Sequence, residues 1–170
     1  MQQPRRIARY LGLVMAVAAP AAFAQTPTPA PAPAQPAAAK RTSAPEDARV
    51  YFISPSNGAR IRGQVLVRFG LRNMGVTRAG DNAPNVGHHH LLINVNEFDA
   101  TQPLPTDRSH LHFGGGQTET RVDLPIGRHT LQLVLGDFEH RPFDPIVASE
   151  KITVYVVPPE RRKRRIRGRR

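Results

Sequence analysis

The chain has 170 residues, a formal net charge of +11 and no cysteine. Lack of cysteine excludes a disulfide framework, a lipid-modified cysteine and thiolate metal ligands, so the fold must rest on an apolar core and any metal on imidazole, carboxylate or thioether groups. The charge belongs to the tail, since residues 158–170 hold eight basic side chains against Glu160 alone; the rest has no basic face interleaved with aromatics, which argues against nucleic acid as the main partner.

Residues 1–24 carry Arg5, Arg6 and Arg9, then an apolar run from Leu11 to Phe23, and end in Ala22-Phe23-Ala24 before Gln25. This order of charge, apolar run and small-residue cleavage site reads as a secretory signal, its apolar part well short of the roughly 20 residues of a membrane span. The expectation is an exported chain, periplasmic or secreted, with no transmembrane segment once mature. Residues 25–47 are mostly Ala, Pro, Thr and Gln, too poor in apolar bulk to fold, and read as a Pro/Ala-rich disordered linker. One domain is expected over 48–157 and a basic disordered tail over 158–170. In the tail, Arg161-Arg162-Lys163-Arg164-Arg165 would repel itself and present charge to anionic envelope lipid or polysaccharide.

Inside 48–157 helical periodicity is missing, while short β-rich runs and alternating segments recur between turn signals. Strands are expected at 50–53, 61–71, from the histidine triplet at 88 to Val95, at 118–124, 128–135 and 150–157. A weaker one is expected over 104–113, interrupted early by Pro105. About seven short strands of this kind point to an all-β fold, an immunoglobulin-like or fibronectin-like antiparallel sandwich, with a small jelly roll as the alternative. Gly114-Gly115-Gly116 has no helix after it and reads as a turn, not a phosphate cradle.

Five of the seven histidines lie between His88 and His112. If successive strands alternate in direction, the segments 73–87, 113–117 and 136–148 share one end of the sandwich. His88, His89, His90, His110, His112 and His140 then gather there, with Asp137, Glu139 and Asp144 nearby, and His129 lies at the opposite end. The period of two puts His88 and His90 on one face with Leu92, and His89 on the core face with Leu91, Ile93 and Val95. Imidazoles gathered in this way suit Cu(II), Zn(II) or Ni(II). The expected ligands are His88, His90 and His112, joined by His140 or His110. No nucleophile with an adjacent base is visible, which points away from an enzyme. Two readings follow: a binding module whose histidine-rich end takes a divalent metal ion, and a cell-envelope interaction protein working through its cationic tail, with structural histidines.

The domain also resembles a family of small exported bacterial domains, the domain-of-unknown-function family 4399. The resemblance rests on Phe69-Gly70-Leu71 with Met74-Gly75-Val76, on Gly87-His88-His89-His90-Leu91-Leu92-Ile93, on His112-Phe113-Gly114-Gly115-Gly116-Gln117-Thr118-Glu119, on His129-Thr130-Leu131-Gln132-Leu133, on Gly136-Asp137 with His140-Arg141-Pro142-Phe143-Asp144-Pro145, and on Ser149-Glu150-Lys151-Ile152-Thr153. It implies no established activity. The family pattern carries a second histidine where this chain has Phe143; either the site is weaker at this loop or the position is not a ligand.

Overall fold

The structure is a computed structural model that describes residues 41–160. The expected signal, the linker up to residue 40 and the arginine-rich end of the tail lie outside these residues. Nine strands are formed: β1 (Arg49–Ser54), β2 (Arg60–Arg62), β3 (Val65–Arg72), β4 (Gly75–Val76), β5 (Val86–Ile93), β6 (His110–His112), β7 (Glu119–Val122), β8 (Gly127–Gly136) and β9 (Ile152–Val157). No helix occurs among the described residues, so none there is long and apolar enough to cross a membrane.

Two sheets face each other. The smaller has the order β1-β3-β7 and is antiparallel throughout; the larger runs β2-β9-β8-β5-β4, with β6 also paired to β5. Alternation in β3 turns Val65, Val67 and Phe69 inward, where they meet Leu91 and Ile93 of β5, Leu131, Leu133 and Leu135 of β8, and Val154 and Val156 of β9. The all-β sandwich expected from the periodicity is thus formed. It departs from a purely antiparallel arrangement of about seven strands through two short additions, β2 beside β9 and β4 beside β5, both parallel.

The strand expected over 104–113 shrinks to His110–His112. Pro103 and Pro105 cannot donate to a ladder, and the chain before Ser109 folds across the outer face of the larger sheet instead. There Leu104 packs with Leu92 and Val134, joined by Val95, Phe98 and Ala148, as a second small core. β5 is therefore covered on both faces, and every residue from Gly87 to Ile93 is buried. It stops at Ile93, short of the expected Val95, because Asn94 takes the left-handed conformation at φ 58°.

Residues 41–47, expected in the linker, are held against the domain. Ala44 is buried in the main core, and its N–H donates to the Asp144 carbonyl at 3.0 Å.

Candidate metal centre

Short as it is, β6 brings His112 to the same end of the sandwich as the start of β5. It pairs antiparallel to β5 with His112 opposite His90, while β8 runs antiparallel on the other side with Val134 opposite His90 and Gly136 opposite His88. His88 and His90 thus share the outer face of the larger sheet with His112. His140 arrives from the loop that follows β8.

The four rings form one cluster. Centroid separations are 4.9 Å for His88 and His90, 4.9 Å for His88 and His112, 5.0 Å for His88 and His140, 5.1 Å for His90 and His112, 5.9 Å for His90 and His140, and 4.7 Å for His112 and His140. His88 and His90 are fully buried; His112 and His140 are partly exposed and form the mouth. One nitrogen from each of His88, His112 and His140 lies within 4.8 Å of the others, and Nε2 of His90 stands 3.1 Å from Nε2 of His88.

Missing side chains make room for these rings. A Cβ on Gly136 would lie 2.8 Å from Nε2 of His90, and one on Gly114 would overlap the ring of His112. Hydrogen bonds do little to orient them: Nδ1 of His88, Nδ1 of His90 and Nε2 of His112 are buried without a partner. In most zinc sites the second ring nitrogen is tied to a carboxylate or carbonyl; at His88 and His90 close packing takes that role.

Burial and crowding both oppose protonation. His88 is pushed down to about 4, first by burial and then by the His112 and His140 rings, with the Asp137 carboxylate acting the other way. His90 falls to about 2, for burial first and then the neighbouring His88, His112 and His140. His112 is lowered for the same reasons, burial leading. These rings are neutral at pH 7, the state in which imidazole binds a metal.

The other three histidines play other parts. His89 faces the main core, its ring 5.1 Å from Phe69, and burial lowers it to about 4. His110, expected among the ligands, turns away to Asp107, its Nδ1 3.0 Å from Oδ1, so it is not one of the converging rings. That carboxylate also accepts from the Ser109 and His110 amides in a tight turn, and the turn aims the ring. His129 sits at the far end as expected, Nε2 donating to the Pro125 carbonyl at 2.8 Å.

The acidic residues expected nearby are engaged elsewhere. Asp137 is buried under its own loop, Asp144 pairs with Arg41 at 2.8 Å, and Glu139 lies 3.7 Å from Arg141. Phe143 is buried in the main core against Gly87, so its position contributes to packing and not to the ring cluster. The part played by Asp137, and by Thr42 that donates to it, has no signal in the sequence, because the two lie 95 positions apart.

The family described as "Domain of unknown function (DUF4399)" matches residues 67–157. No curated protein matches the chain. The X-ray structure of the endo-beta-1,4-mannanase from Thermotoga petrophila aligns with a TM-score of 0.40 and 17% identity over 66% of this chain and 20% of that one, so the chain spans about a fifth of that enzyme's length. A likeness so loose carries no argument about activity.

Proposed function

The chain belongs to the DUF4399 family, and for this member we propose an exported binding module that takes one late first-row transition-metal ion, Cu(II) or Zn(II), at the histidine-rich end of its sandwich. His88, His112 and His140 are the ligands, and His90 is the fourth imidazole within reach. One observation carries this reading: four imidazoles crowd together in a partly buried place where no carboxylate competes and three of their nitrogens have no hydrogen-bond partner.

A buried polar atom without a partner costs about 1–3 kcal/mol, and Nε2 of His112, at the mouth of the cluster, is such an atom. A cation ligated there removes that cost. A tetrahedral ion at about 2.0–2.1 Å from each nitrogen holds them roughly 3.3 Å apart; Nε2 of His88 and Nε2 of His90 stand 3.1 Å apart, and the nitrogens of His88, His112 and His140, within 4.8 Å of one another, draw together on binding. A set of nitrogens without oxygen ligands disfavours Mg(II) and Ca(II).

Titration calorimetry of Zn(II) and Cu(II) into the chain lacking residues 1–24, at neutral pH, tests the proposal. One equivalent should bind. A His112→Ala/His140→Ala variant, altered at the exposed side of the cluster, should lose it, and His110→Ala should keep it. Heat from non-saturating weak binding, equal in all three proteins, would refute the metal reading.

A further inference from the structure

Three of the four clustered rings stand on strands whose position is set by backbone ladders. His140 does not. It sits in the loop after β8 at φ 67°, in the left-handed region that a side chain other than glycine occupies only when its surroundings hold it there. What holds it is Asp137, which is only 2% exposed. Oδ1 of Asp137 accepts the backbone N–H groups of Glu139 and Arg141, each at 2.9 Å, the residues on either side of His140. The His140 N–H donates to the Asp137 carbonyl at 2.9 Å, and the His140 carbonyl accepts from the Leu104 N–H at 2.8 Å.

Asp137 is held in turn from far along the chain. The Thr42 hydroxyl donates to its other oxygen, Oδ2, at 2.6 Å. Thr42 is fixed by its neighbours: the Asp144 N–H donates to the Thr42 carbonyl at 2.9 Å, and the Arg41 guanidinium donates to the Phe143 carbonyl at 3.1 Å and to Asp144 Oδ1 at 2.8 Å. The root of the N-terminal tether is thus laid along the loop that carries His140.

We propose that residues 41–44 clamp the metal site, with Thr42 the positioning residue for His140, so that the ligand set is complete only while the root of the tether is docked. This rests on the metal reading above. Undocking would leave His88, His90 and His112 in place on their strands and free His140 to leave the cluster. The tether is then a working part of the site, and a domain trimmed to start at residue 48 lacks it.

The test uses the chain lacking residues 1–24, with Thr42→Val, which removes the hydroxyl at nearly constant shape, and Thr42→Ser, which keeps it. Zn(II) affinity is measured by competition with a chromophoric chelator, and amide hydrogen exchange is followed at Glu139 and Arg141. Loss of a hydrogen bond behind a ligand typically costs 10–100-fold in metal affinity. Thr42→Val should weaken binding by about that factor and speed exchange at both amides, and Thr42→Ser should restore both. Arg41→Ala provides the same comparison if Thr42→Val does not fold. Faster exchange with unchanged affinity overturns the positioning role, and so does no change in either. Failure of the unsubstituted chain to bind Zn(II) overturns the metal reading itself, and the exchange data then show separately whether the clamp holds the loop.

Discussion

At the scale of single residues, the site is built by glycine as much as by histidine. A buried imidazole with an unpartnered nitrogen depends largely on packing to orient it, and here the packing surface is backbone exposed at Gly114 and Gly136. The division of labour within the triplet was readable from period two alone: His88 and His90 on one face, His89 on the other. The fate of His110 was not, because it depends on a turn around Asp107 that no alternation rule describes. The glycines could be read only as turns, since the ring each one accommodates comes from elsewhere in the chain. Gly114→Ala is instructive because the backbone there needs no positive φ, so the added methyl acts on the His112 ring rather than on the chain. Zn(II) affinity should fall on the order of tenfold while the circular dichroism spectrum is kept; an unchanged affinity would show that His112 has room to move and still bind.

At the scale of elements, β5 organises the molecule. Its inner face supplies Leu91 and Ile93 to the main core; its outer face supplies two rings and Leu92. The strands with strong alternation, β3 and β8, were legible to within a few residues. β2 and β4 were not, being two or three residues long and paired in parallel, β2 to the distant β9 and β4 to β5 across a polar loop, without a local pattern of their own. The cover over the outer face was illegible for a related reason: the 94–109 segment has no period, and its buried anchor, Leu104, matters only through contacts with Leu92 and Val134. Leu104 is 5% exposed, and Leu104→Ala should cost about 2–5 kcal/mol of unfolding free energy, measured by denaturant titration. A loss below about 1 kcal/mol would mean that the segment is a loose covering and not part of the core.

At the scale of the whole molecule, the described residues form a sandwich whose two faces of function are opposed in character: a dry core between the sheets, and a partly open cluster of imidazole rings at one end of the larger sheet. The domain outside the tail is nearly neutral, so attraction for a cation comes from ligand atoms placed in advance and not from a general field. Residues 41–44 reach this end as well. The most direct test of the central claim is a crystal of the chain lacking residues 1–24 grown with one equivalent of Zn(II), with anomalous diffraction recorded at the zinc edge. A single strong peak is expected about 2.0–2.1 Å from nitrogens of His88, His112 and His140. Zinc found only at surface groups such as His110 and Asp107, with the ring cluster unchanged, would contradict it.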